Sequence, residues 1–388
     1  MTDIMEKKTC LYDEHVALGA LMQPFGGFIM PIQYTNIVDE HTAVRTDCGV
    51  FDVSHMGEVR ITGVDAERYV NHIFTNDITD APTGQIYYGM MLYPNGGTVD
   101  DLLVYKMGKD DFFLVINAAN IDKDVAWMQQ QAVGFDINLD HQSDQYGQLA
   151  VQGPQAEAVV EQVLGLPCKE LKFYTTKTAT VPDGFPSGQV IISRTGYTGE
   201  DGFEIYGSHD YIRECWRKLI QSGRCKPCGL GCRDTLRFEV GLPLYGDELS
   251  AYISPVMAGL SMFCKLDKPE FIGRDALIQQ KTEGVAQKLV GIELEGKAIP
   301  RHGYPVLDAE GNTVGEVTTG YHCISVDKSV CMALVNSAVA KLGTALQVQI
   351  RKKTFRGVVV KKKFYDKHYK KYSSFASNEY TENKPHRG

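Results

Sequence analysis

The strongest constraint on the fold is a change in patterning near residue 285. Before it, short strand-like runs are interleaved with single helical segments. After it, only strand-like runs remain: KLVGIELEG, PVLDAEGNTVGEVTTG, VCMALVN, ALQVQIR and FRGVVVKKKF, with an AEGN turn at 309–312. Short apolar runs broken by turn residues predict a compact all-β unit over 285–366. The earlier part lacks the regular strand–helix alternation of a parallel α/β sheet, so the expected class is α+β.

Within the first 275 residues the periodicities are local. GEVRIT (57–62) alternates as a strand, and DFFLVIN (111–117) reads as a buried one. DAERYVNHIFTN (65–76) has helical spacing, with Asp65 placed to cap it. Asn120 is placed to cap IDKDVAWMQQQA, and Ser208 to cap YIRECWRKLIQ, which stops at Gly223. Pro154 is expected in the first turn of PQAEAVVEQVLG. QVIISR and FEIYG predict a hairpin around the loop TGYTGEDG (195–202). RDTLRFEVGL (233–242) predicts a helix that ends near Pro243. No internal repeat is visible. The polar segment 373–388 has no periodicity and is expected to be a disordered tail.

Hydrophobic residues make up 43% of the 388, enough for a core without disulfide or metal staples. No run approaches the roughly 18 apolar residues of a membrane span. The first fifteen residues lack an apolar signal core and are too acidic for a transit peptide. A cytoplasmic chain, or an organellar one with its leader removed, is expected, with no membrane partner. The ten cysteines are scattered, as free thiols of a reducing compartment would be. Cys225, Cys228 and Cys232 form the one cluster. A closed zinc site needs a second pair, so they read as loop and core thiols. A net charge of -8 argues against a nucleic-acid partner. Residues 351–371 nevertheless carry ten Lys or Arg against Asp366 alone, +9 in all, leaving -17 for the remainder. Such a stretch either steers an acidic partner or solvates exposed strand edges.

Four motifs bear chemistry. PNGGTVDDLLVY (94–105) sets adjacent carboxylates, Asp100 and Asp101, between a turn and an apolar strand. Strand neighbours face opposite ways, so one carboxylate is expected towards a core or pocket and the other towards solvent. That spacing fits a turn-capping pair as well as a functional charge. In FDVSHMG (51–57), Asp52, Ser54 and His55 are hydrolase residue types. Ser54 and His55 are sequence neighbours, however, and no nucleophile elbow is present, so no triad is expected. RTGYTGEDGFEIY (194–206) has glycines that let backbone approach a ligand, without dinucleotide spacing. Its Glu204 shares a face with Tyr206. It is either solvated there or buried against donors such as the N–H edge of a heterocycle. In GLGCRDTLRFE (229–239), Arg233 and Arg237 are four apart on the expected helix. Each fits an ordinary ion pair or an anchor for an anionic or polar ligand.

Taken in order, LYDEHVALGALMQPFGGFIMPIQY, FDVSHMG, NGGTVDDL, SRTGYTGEDGFE and GLGCRDTLRFE, followed by the strand-rich end, resemble the aminomethyltransferase (T-protein) family of the glycine cleavage system. The resemblance runs over residues 9–366. It implies a three-domain clover-like arrangement around a central folate channel. Two discontinuous domains fall within residues 1–275, and a C-terminal distorted jelly-roll β-barrel follows. The implied activity moves the one-carbon unit of an aminomethyl group on lipoylated H-protein to tetrahydrofolate, the co-substrate. Ammonia is released and 5,10-methylenetetrahydrofolate is formed in glycine catabolism. The glycine decarboxylase and dihydrolipoyl dehydrogenase components are indirect partners.

By position, the resemblance makes Asp101 the catalytic acid, and Glu204 and Arg233 folate contacts. Met56, Tyr88, Asn117 and Tyr197 line the pocket, and Tyr369 is a terminal folate contact. No metal is implied. An accessible Asp is expected to be ionised at neutral pH, able to stabilise positive charge developing on a pterin nitrogen. A folate-dependent demethylase and a non-enzymatic folate-binding paralogue share the scaffold. The intact NGGTVDDL and GEDGFE motifs favour the transferase, and the Lys-Gly-Cys motif of the paralogues is absent. The basic stretch, with Lys361, Lys362 and Lys363, is the implied docking surface for acidic H-protein.

Overall fold

A computed structural model of the protein describes residues 6–367 and 369. The expected tail at 373–388 lies outside the described residues. The chain is α+β. A five-stranded sheet is built from Ile86–Leu92, Thr98–Gly108, Asp111–Ile116, Gly57–Thr62 and Asn138–His141, in that spatial order. A six-stranded sheet has the order Thr176–Thr180, Gln189–Ser193, Gly202–Gly207, Gly147–Gln152, Gly49–Asp52, Lys226–Pro227. The strand-rich end closes into a six-stranded antiparallel barrel over 287–360, so the alternation read after residue 285 does mark a separate β layer. Barrel closure leaves no free edge, and its interior is filled by apolar side chains such as Ile292, Val317, Cys331 and Val348. Among the described residues, no helix is long and apolar enough to cross a membrane.

The two sheets are built on one plan repeated, which inspection of the sequence missed. Strand Gly57–Thr62, helix Ala66–Ile73 and strand Ile86–Leu92 recur as Gly147–Gln152, Ala156–Leu164 and Thr176–Thr180, ninety positions later. Only a few identities mark the repeat: Gly57, Gly63, Ala66, Glu67 and Val70 reappear as Gly147, Gly153, Ala156, Glu157 and Val160. Each has a backbone or packing reason. Gly63 and Gly153 have φ of 128° and 129°, and a Cβ on either would lie within 2.5 Å of a carbonyl oxygen, of Asp136 and Asp47 respectively. Glu67 bonds Lys106 at 3.0 Å, and Glu157 bonds the equivalent Arg194 at 3.0 Å. The halves meet at a pseudo-twofold: Ile86 N donates to Tyr174 O, and Thr176 N to Gly84 O.

Local signals decided the helix starts unevenly. The Ser208 hydroxyl accepts from Tyr211 N and caps the His209–Gln221 helix as expected. Asp65 and Asn120 occupy cap positions, but their side chains are drawn elsewhere. Asp65 pairs with Arg68 and Asp136 N, and Asn120 Nδ2 donates to Asp100. Tertiary partners outcompete the cap. Pro154 precedes the helix, which begins at Ala156, and the helix expected from 233 runs from Leu230 to Glu239. Cys48 and Cys225 pack in one apolar cluster, with Sγ atoms 3.3 Å apart, and Cys228 and Cys232 pack in another.

Candidate active site

The site lies where the two halves face each other, and the first half supplies a carboxylate. The register that pairs Tyr88 with Leu103 and Met90 with Asp101 makes Tyr88 and Asp101 diagonal neighbours on one face. Tyr88 Oη donates to Asp101 Oδ2 at 2.8 Å. Asn117 Nδ2 donates to Asp101 Oδ1 at 2.9 Å. Asp100 points the other way, as strand geometry requires, but into the core and not to solvent. It accepts from Asn117 N (3.0 Å), Asn117 Nδ2 (2.8 Å) and Asn120 Nδ2 (2.7 Å). Burial and the neighbouring charge of Asp100 push Asp101 up to about 7, against the pull of the Tyr88 and Asn117 donors. The sequence-based expectation of an ordinary, fully ionised Asp therefore does not hold. The carboxyl group sits close to half-protonated at neutral pH.

The second half supplies Glu204, paired in register with Ser193. It is half-buried against donors: Thr195 Oγ1 at 2.5 Å and Gln148 Nε2 at 3.1 Å. Burial pushes its pKa above the usual carboxylate value, and the Thr195 bond opposes this. Tyr206 shares its face and bonds Tyr105 across the halves at 2.8 Å. Glu204 occupies the position that Phe113 holds in the first half, opposite Ser193 and Tyr105 respectively. The first half turns tightly at 109–110, whereas the second inserts the loop Thr195–Asp201.

That loop carries Tyr197, whose hydroxyl donates to Pro243 O. The Arg233 guanidinium stacks on the Tyr197 ring at 4.5 Å. Among the described residues the Arg233 side chain has no hydrogen bond or ion pair. Burial pushes its pKa down, opposed by Tyr197 and Glu204. Arg237, on the same helix face, is instead consumed by structure, bonded to Asp234, Glu248 and Leu242 O. Met56 packs between the apolar clusters that join the halves. Tyr369 reaches the same loop: its hydroxyl accepts from Asp201 N at 2.9 Å.

Sequence reasoning missed Tyr174. It is a non-glycine residue at φ 61°, the counterpart of Gly84 at φ 87°. Its half-buried phenol feels the charges of both Glu204 and Asp101. A bulky residue in left-handed backbone is strained, and strain of this kind gathers at functional positions. The sequence carried no signal, because only the repeat identifies the position as one that favours glycine.

The FDVSHMG residues form no triad. Asp52 is fully buried. Burial would raise it, but His15 Nε2 at 2.9 Å, Thr9 and Ser54 N hold it below the usual carboxylate range. His55 is pushed down to about 3 by burial and Arg233, so it is neutral. A surface cleft of about 650 Å3 lies on the barrel flank beside Glu293, Gln347 and Arg356, but it holds none of the expected site residues and is open to solvent.

Two half-repeats that bring together a carboxyl group, a half-buried glutamate and a stacked guanidinium unpaired among the described residues, followed by a closed barrel, define a two-part α+β protein with a polar candidate site between its halves. Residues 11–268 match the GCVT N-terminal domain, and residues 287–366 match the glycine cleavage T-protein C-terminal barrel domain. The chain is 47% identical over 362 residues to the aminomethyltransferase of Lysinibacillus sphaericus, covering 92% of this chain and 98% of that one. It is 46% identical over 366 residues to the aminomethyltransferase of Bacillus subtilis, covering 93% and 99%. The crystal structure of glycine cleavage system aminomethyltransferase T from Bartonella henselae superposes with a TM-score of 0.88 at 32% identity, covering 94% of this chain and 99% of that one. This chain belongs to the glycine cleavage T-protein family.

Proposed function

We propose that the chain is a tetrahydrofolate-dependent aminomethyltransferase. It takes the aminomethyl group carried on the lipoyl arm of H-protein and passes its carbon to tetrahydrofolate, releasing ammonia and reduced lipoyl. The observation that carries this reading is Asp101, a single carboxylate oriented by Tyr88 and Asn117 within a family whose curated relatives are named aminomethyltransferase. The transferred carbon is at the formaldehyde level. As ammonia leaves, positive charge develops beside the acceptor nitrogen. A carboxylate there stabilises that charge and takes up a proton, and an acid poised near 7 suits both tasks.

The other groups fit a reduced pterin. Glu204 offers acceptor lone pairs to ring N–H donors. Arg233, stacked and unpaired, offers donors to a carbonyl or carboxylate. Tyr174 and Tyr197 supply flat apolar surface. No covalent enzyme intermediate is required; holding the two reactants in the right orientation supplies the remainder. Lipoylated H-protein is the proposed partner, and the cytoplasm, which keeps the ten thiols reduced, the proposed compartment. The test supplies aminomethylated lipoyl H-protein and tetrahydrofolate to the purified chain. Release of ammonia with matching methylenetetrahydrofolate is expected. Folate binding without ammonia release would remove the proposal.

A further inference from the structure

Behind Asp101 lies a carboxyl group that the proposed reaction does not use. Asp124, on the Ile121–Gln131 helix, is fully buried beside Asp100. Neither of its oxygens accepts a hydrogen bond from a described residue. Lys123 Nζ comes within 3.4 Å but directs its hydrogens to Val99 O and Tyr245 Oη. Asp100 is the opposite case, with three N–H contacts on its two oxygens. Three donors are the surroundings of an ionised carboxylate, whereas a buried carboxyl group with no donor in hydrogen-bonding geometry, and one ammonium at 3.4 Å, favours the neutral acid. Burial, then Asp100, push Asp124 up to about 11 despite Lys123.

We propose that Asp124 is a protonated acid whose hydrogen is shared with ionised Asp100, and that the pair is a positioning unit for Asp101. It holds Asn117 in place and keeps a fixed negative charge behind the reacting carboxyl group. This rests on the role of Asp101 proposed above. Asn117 is the mechanical link: its single amide nitrogen lies 2.8 Å from Asp100 Oδ1 and 2.9 Å from Asp101 Oδ1, so those oxygens are at most about 5.7 Å apart. Two negative charges at that separation repel, and Asp101 is the one that yields by taking a proton. The groups facing Asp101 are Tyr88 and Asn117 from the flanking strands, Tyr174 and Tyr197 from the second half, and Asp100 from its own strand. Lys123 and Tyr245 face the Asp100–Asp124 pair.

The test is a carboxyl titration of the full chain, by infrared difference spectroscopy and by NMR of aspartate labelled at Cγ. It compares the unaltered protein with Asp100→Asn, Asp124→Asn and Asp124→Ala. Glu58, buried and without a hydrogen-bond partner among the described residues, should also give a protonated carboxylic acid band. The diagnostic is therefore the component that persists from about pH 5 to 9 in the unaltered protein, carries the aspartate Cγ label and is lost in Asp124→Asn. Asp100→Asn should lower the Asp101 midpoint by roughly one to two pH units. Asp124→Asn, which mimics the neutral acid, should keep that midpoint, whereas Asp124→Ala should not. The acid limb of kcat/KM should move with the same midpoints. An ionised Asp124 at neutral pH, or an Asp101 midpoint unmoved by Asp100→Asn, would overturn the inference. If Asp100→Asn does not fold, the Asp124 band decides. Failure of the transferase reading looks different: the titrations hold while no ammonia is released, so the shared proton stands and the catalytic role of Asp101 falls.

Discussion

Asn117 and Asp101 meet twice: the Asn117 amide nitrogen lies 2.9 Å from Asp101 Oδ1 and 3.1 Å from the Asp101 carbonyl oxygen. The register that sets Leu103 opposite Val115 carries Asn117 to a place opposite Asp101. The orientation of the carboxyl group is therefore fixed by strand pairing, and it is available before any ligand arrives. Asp101→Asn keeps this shape and removes the charge. Turnover should fall by about 100-fold or more, with folate affinity nearly unchanged in a direct binding measurement. Near-normal turnover with saturable folate would sink the assignment.

The same carboxyl group costs stability. Its folded-state value, about 7, lies above the 3.8 of an ordinary aspartate. Its contribution is thus fully present below about pH 4 and is lost as the pH rises through 7. Asp101→Asn has no such loss. Its Tm relative to the unaltered protein should climb between pH 4 and pH 8, by the equivalent of at most about 4 kcal/mol. Thermal melts at the two pH values measure this, and a constant difference would contradict the raised value.

Tyr88 acts in the opposite direction, because its hydrogen bond favours the ionised form of Asp101. Tyr88→Phe should move the acid limb of kcat/KM to higher pH and reduce turnover at pH 7 by about tenfold. If the limb stayed in place, the phenol would be mere lining.

Glu204 and Arg233 are assigned to binding. Glu204→Gln and Arg233→Lys should each weaken tetrahydrofolate by roughly tenfold, measured calorimetrically. The lysine keeps the charge but loses the stack on Tyr197. Single-turnover transfer from saturated complexes should change much less. A large loss of transfer with unchanged Kd would move these residues into the chemistry.

The lysine run is not uniform. Lys361 and Lys363 are exposed, but Lys362 is half-buried, bonds Ala258 O and is pushed down to about 8 by burial. Reversing Lys361 and Lys363 together should raise the KM for H-protein by a few-fold and flatten its salt dependence. Lys362→Glu should lower Tm instead. Unchanged KM and salt slope in the double variant would leave the pair as solvated surface.

By itself, the sequence determined what is local or ordered along the chain: strand and helix type, the β-rich end, and the order of motifs that marks the family. Alternation and capping chemistry act over a few residues, so they are written in the chain. It also put Asp101 on a strand face, since neighbours on a strand diverge. Only the tertiary structure decided where the other face leads. Asp100 turns inward because Asn120 and Asp124 arrive from a helix twenty residues on. Asp101's own burial, then the charge of Asp100, and not the residue type, move Asp101 to about 7. The repeat was hidden for the same reason: two halves need share only backbone turns, two glycines and one ion pair to fold alike. Tyr174 and Arg233 gain meaning through distances and charges between segments far apart in sequence, and no local pattern encodes those.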